Sequence, residues 1–122
     1  MSIESRDVSL AIPAKPGFLV LARLALAAVC RLTALLPSDI ADLKLAVTEA
    51  AGDFVAESDA AAGDDDRLDF SFRLEDGLLV MELSGTSAEA PAVEQDLSHA
   101  IIEATVDEVT FTPGHTLLVK RL

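Results

Sequence analysis

An α+β fold of two layers, a mainly antiparallel sheet covered on one face by about three helices, is predicted by three features of the sequence. Leu68, Phe70, Phe72 and Leu74 alternate with Asp69, Ser71 and Arg73 and meet residues 78–83 across Asp76-Gly77, a tight-turn pair. Residues 108–112 and 116–122 flank a second turn at Pro113-Gly114. Stretches of helical period precede and separate these hairpins. Hairpins of this kind bury one sheet face, and the helices are the elements available to cover it.

Taken in order, Val8, Leu10 and Ile12 alternate with Ser9 and Ala11 and suggest a short strand that ends at Pro13. Pro16 suits the first turn of a helix that the apolar run carries to about Leu36, where Pro37 ends it. Ser38 or Asp39 is the expected N-cap of the second helix. Its core stripe is Ile40, Leu43, Val47, Ala50 and Phe54, with Asp42, Glu49, Asp53 and Glu57 away from the centre. After an acidic loop over 58–66, which does not match the order of an EF-hand loop, comes the first hairpin. A stretch rich in small residues, 84–92, leads to a third helix with Val93, Leu97, Ile101 and Ala104 on its apolar side. Neither a repeat nor a linker divides the 122 residues, which suit a single domain.

Charge and composition exclude several function classes. A formal net charge of -12 repels nucleic-acid phosphates and anionic lipid, so neither is an expected partner. Cys30 is the single cysteine, which rules out an internal disulfide and points to a reducing, cytoplasmic setting. The run from Phe18 to Leu36 is interrupted by Arg23 and Arg31 and reads as a helix with a wide apolar surface rather than a bilayer span. His99 and His115 form no metal or acid–base pair by spacing, and no nucleophile triad or glycine-rich phosphate loop stands out. The most informative local pattern is Glu49, Asp53 and Glu57 at every fourth position, a spacing that stacks three carboxylates along one helix face. Such a stripe is a magnesium and nucleotide site, the remnant of one, or a solvated surface.

The order of elements, together with Ile12-Pro13-Ala14, Asp42-Leu43-Lys44-Leu45-Ala46-Val47-Thr48-Glu49-Ala50, Ile101-Ile102-Glu103 and Val106-Asp107-Glu108-Val109, resembles the anti-sigma-factor serine kinases. These belong to the ATPase superfamily shared by histidine kinases and gyrase, and the resemblance extends over nearly the whole chain. It implies a Bergerat-like ATPase fold. It places Glu49 at the position of the general base and Asp53 at that of the Asn that helps hold magnesium on ATP, with Glu57 where a His is frequent. The adenine-contacting Asp after the third strand is replaced by Ser84-Gly85, and the phosphate-approaching glycines fall on Asp96 and Ser98. The ATP lid is shortened to about ten residues. Two like charges 4 Å apart repel by about 1 kcal/mol even in water, so Asp96 beside a triphosphate is costly.

The resemblance therefore implies a degenerate member: an anti-sigma-factor-like regulator that binds a sigma factor, an antagonist protein of the STAS type, or both, without nucleotide and as a homodimer. Arg23 falls on an arginine of the family's partner surface, although snorkelling of its stem explains it equally well. Two alternatives remain open. An ATP-dependent serine kinase would use Glu49 as base and Asp53 for magnesium. A non-catalytic dimerisation module would use the apolar first helix.

Overall fold

The computed structural model describes residues 6–55, 66–85 and 92–122. Glu57, nearly all of the acidic loop and the stretch expected to form a lid lie outside the described residues. Five strands make one antiparallel sheet: β1 Arg6–Pro13, β2 Arg67–Glu75, β3 Leu78–Gly85, β4 Glu108–Thr112 and β5 His115–Arg121, in the order β1-β2-β3-β5-β4. Three helices complete the fold: α1 Leu19–Cys30, preceded by a 3-10 turn at Pro16–Phe18, α2 Pro37–Ala51 and α3 Ala92–Thr105. This is the expected α+β architecture of helices and an antiparallel sheet.

Strand alternation sets the two faces. Ile12, Leu68, Phe70, Phe72, Leu79, Met81, Leu83 and Leu118 are buried in a single core with Ala22, Leu26 and Val29 of α1 and Leu43, Ala46, Val47 and Ala50 of α2. Each large side chain buried in this way contributes about 1.5–3 kcal/mol. Middle helix α2 packs against α1 on one side and α3 on the other; α1 also touches β1 and β2, and α3 touches β4. On the opposite face the register aligns Ser9, Ser71, Glu82 and Leu117 in one row and Ala11, Asp69, Ser84 and His115 in the next.

The two hairpins form where the turn chemistry places them. Asp76 at φ 52° and Gly77 at φ 75° give the left-handed pair that matches the twist of two strands, and Gly114 at φ 75° follows Pro113 in the second turn.

Helix boundaries differ from expectation in three places. First, α1 ends at Cys30, six residues early, because the Thr33 hydroxyl donates to the Cys30 carbonyl (2.7 Å) while accepting from the Leu35 N–H (3.2 Å). A side chain that satisfies a terminal carbonyl competes with the next helical turn. Second, α2 is capped by Leu36 rather than Ser38 or Asp39: Pro37 takes the first helical position, forcing Leu36 into extended backbone, and Asp39 accepts from the Leu36 N–H at 3.3 Å. Third, α2 stops at Ala51. Gly52, a poor helix former, is its C-cap, and bonds from the Asp53 and Phe54 N–H groups to the carbonyls three residues back tighten the chain into turns.

The phase of α3 is also different. Leu97 is 65% exposed and Ala104 is exposed, whereas Ile102 is fully buried and Ser98 and His99 are half-buried. The helix is rotated from its expected apolar side so that Gln95, Ser98, His99 and Ile102 line the inward flank.

Candidate functional site

The end of α2 breaks the carboxylate stripe. Glu49 sits in the last helical turn, Asp53 in the irregular turn beyond Gly52, and the two no longer share a continuous helix face. Both are half-buried rather than solvated. Burial of Phe54 in the core fixes the turn and directs the chain at Asp53 towards α3.

There, His99 Nε2 lies 3.0 Å from Asp53 Oδ2, with only 16% of the Asp53 side chain and 28% of the His99 side chain exposed. Since the carboxylate accepts, Nε2 carries the proton. The imidazole lies flat on Phe111 of β4, with ring centres 3.6 Å apart and planes 6° from parallel. One residue earlier, the Ser98 hydroxyl donates at 3.1 Å to the Glu49 backbone carbonyl, which also accepts from the Gly52 N–H at 3.1 Å. Ser98 and His99 thus tie α3 to α2 through two consecutive side chains.

Beside this pair lies a cavity of about 250 Å³ whose lining includes Asp53, Phe54, Gln95, Phe111, Pro113 and Thr116. Its walls are mixed. Phe54, Phe111 and Pro113 are apolar, while Thr116 is polar and buried, 2% exposed.

Of the residues singled out in the sequence, Glu49, Asp53 and Ser98 come together at the α2–α3 junction. Asp96 is exposed on α3. Ser84 and Gly85 do not form a turn; they continue β3, paired with His115 and Leu68 respectively. Since Leu83 faces the core, Ser84 faces the opposite side of the sheet, where it lines a recess of about 450 Å³ with Ser9, Ser71 and Glu82. The glycine at 85 has a packing cause: a Cβ there would lie 2.8 Å from the Arg67 carbonyl oxygen, and its N–H donates to the Gly114 carbonyl at 3.1 Å. Arg23 is half-buried, one Nη donating at 3.3 Å to the Thr48 hydroxyl, which in turn donates to the Lys44 carbonyl at 2.8 Å.

The sequence reading missed His99 and Phe111 as site residues. No spacing links positions 53, 99 and 111, which lie on three elements. Gln95, His99 and Ile102 do fall at i, i+4 and i+7, a periodicity that sets the histidine on the same flank as the fully buried Ile102. A second polar cluster lies on the open sheet face, where Arg73 meets Glu82 at 2.7 Å and Glu82 meets His115 at 3.2 Å. Hydrogen bonds from Arg73 and then His115 hold the Glu82 carboxyl below the usual carboxylate range.

Among the described residues no group of three or more His, Cys, Asp or Glu side chains converges on a metal-sized site, and no helix is long and apolar enough to cross a membrane. No family model matches the chain, and no curated protein matches it.

Proposed function

We propose that the chain is an anti-sigma-factor-like regulatory protein, a degenerate member of the histidine-kinase-like ATPase fold, that binds a sigma factor or a STAS-type antagonist without nucleotide. The observation that carries this reading is the closed α2–α3 junction. Asp53, at the magnesium-binding position, is hydrogen-bonded to His99. Ser98, at a phosphate-glycine position, has its hydroxyl on the Glu49 carbonyl. A phosphate site at a helix end needs free N–H groups and close backbone approach. Here a serine and a stacked imidazole stand between the elements instead. These residues do not fit magnesium-ATP, and no phosphoryl-transfer step is derived through them.

The kinase alternative requires Glu49 and Asp53 to face a common substrate; the broken end of α2 gives them different backbone settings. The framework strings of α2 and the C-terminal hairpin, by contrast, build intact elements, as a binding protein requires. Capture from extract of the cell of origin, with and without ATP, tests the proposal. A sigma factor or antagonist is retained equally in both conditions; retention of neither, or retention only with ATP, contradicts it.

A further inference from the structure

Strand β1 ends the sheet, and the ladder fixes which of its backbone groups face outward. Asp76-Gly77 is a two-residue turn closed by Glu75 and Leu78. That closing pair is hydrogen-bonded, and hydrogen-bonded pairs then alternate along an antiparallel ladder. Arg73, Ser71 and Asp69 therefore bond towards β3, while Leu74, Phe72, Phe70 and Leu68 bond towards β1, where they meet Arg6, Val8, Leu10 and Ile12. The N–H and C=O groups of Asp7, Ser9 and Ala11 point away from the sheet. No described strand lies beyond them, and all three residues are exposed. The register of β1 on β2 runs unbroken from Arg6 to Pro13, and an edge with no bulge, lysine or internal proline is open to a further strand.

The surroundings of this edge set the chemistry of an incoming strand. On the open sheet face Ser9 and Ala11 are the low outer wall of the recess of about 450 Å³, which runs inward over Ser71 to Asp69, Glu82 and Ser84. The residues of β1, β2 and β3 that face this side include four acids, Asp7, Asp69, Glu75 and Glu82, and two cations, Arg67 and Arg73. Arg73 is engaged by Glu82 at 2.7 Å and Glu75 at 3.8 Å, and the other Glu82 oxygen meets His115. Arg67 stands opposite Pro13 and is outside the recess lining. Asp69 is exposed and enters no ion pair among the described residues. On the helix side the same edge shows Val8, 36% exposed.

We propose that β1 is the docking edge for an extended segment of a partner protein in which basic and apolar residues alternate. The segment adds a sixth strand, its backbone pairing with Asp7, Ser9 and Ala11. Its apolar residues cover Val8. A lysine or arginine on the other side crosses the small side chains of Ser9 and Ala11 to reach Asp69, and the serine hydroxyls accept its remaining protons. Strands lie about 4.8 Å apart, so Asp69 is two steps, about 10 Å, from the incoming backbone, a gap the two side chains span between them. A second copy is the poorer occupant, because its β1 brings Asp7, Ser9 and Ala11 to this face and no cation for Asp69. The proposal goes beyond the regulatory reading and holds for any partner segment of that chemistry.

Two synthetic peptides test this directly, one alternating Arg with Val and the other alternating Glu with Val. In the free protein the amide protons of Asp7, Ser9 and Ala11 exchange fast with solvent, while those of Val8 and Leu10 are held by β2. The Arg peptide is expected to bind by fluorescence anisotropy and to slow exchange at 7, 9 and 11 by roughly tenfold or more, leaving 8 and 10 unchanged. The Glu peptide does neither. Net charge alone also attracts the Arg peptide, so two substitutions of equal charge separate the cases. Asp69→Asn weakens binding roughly tenfold, whereas Asp42→Asn, exposed on α2, changes it by about twofold at most. Ala11→Lys sets a cation in the mouth of the recess and abolishes binding. Ser9→Pro removes one outward N–H, leaves the ladder to β2 intact and weakens binding. Equal weakening by Asp69→Asn and Asp42→Asn, binding of the Glu peptide, or slowed exchange that does not alternate along β1 overturns the proposal. So does slowing at 7, 9 and 11 that rises with protein concentration in the absence of peptide, which makes a second copy the occupant. Neither nucleotide nor a sigma factor enters the assay, so its failure is separable from failure of the functional reading.

Discussion

The bond between His99 and Asp53 joins an irregular turn after α2 to the middle of α3, and the flat contact with Phe111 adds the first strand of the C-terminal hairpin. An aromatic contact of this kind contributes about 0.5–1.5 kcal/mol beyond its area, and a hydrogen bond about as much again. His99→Ala is therefore expected to destabilise the fold by about 1–2 kcal/mol in urea titration, and His99→Phe, which keeps the stack and loses the bond, by less; equal stability of all three proteins would contradict this. Glu82 gives a pH prediction. Its folded carboxyl is depressed by Arg73 and His115, so its contribution is complete above the unfolded value of about 4.3 and is lost as pH falls below it. Glu82→Gln should narrow the difference in urea midpoint between pH 6 and pH 3.5. The Cys30 thiol is 1% exposed and pushed up by burial, so it reacts with a thiol reagent only as fast as the protein opens.

At the scale of elements, strands and turns were the most legible parts of the sequence because period-2 alternation and Asp76-Gly77 or Pro113-Gly114 are local signals with a local cause. Helix ends were less legible. The apolar run of α1 passes Cys30 without a change in character, and the stop comes from one hydroxyl, that of Thr33. Replacing it by Val keeps the shape and removes both hydrogen bonds; a loss of about 1–2 kcal/mol is expected in thermal unfolding. The phase of α3 was misread for a related reason: it has few large apolar residues, so Ser98 and His99, through specific partners on α2, decide which flank turns inward while Leu97 is left in solvent. The resemblance sets Ser84-Gly85 at the adenine-contacting position, and close strand approach accounts for the glycine at 85. Gly85→Ala meets the Arg67 carbonyl and should cost about 1–3 kcal/mol. A stability equal to wild type would show that the strand ends yield more easily than their geometry suggests.

Across the whole molecule, two hairpins, a leading strand and apolar helices are sufficient to suggest an α+β architecture from the sequence, whereas the strand order β1-β2-β3-β5-β4 emerges only in the folded chain. The site is different in kind. It is assembled from positions 49, 53, 98, 99 and 111, which only the folded chain brings together, so spacing identified the carboxylates of Glu49 and Asp53 but not the histidine that engages Asp53. The molecule thus combines one hydrophobic core, an α2–α3 junction bridged by side chains, and an apolar, acid-free helix facing outward. Isothermal titration of the intact protein with magnesium-ATP tests the central claim most directly. The account predicts no saturable heat up to millimolar nucleotide; a saturable isotherm that Asp53→Ala abolishes would contradict it.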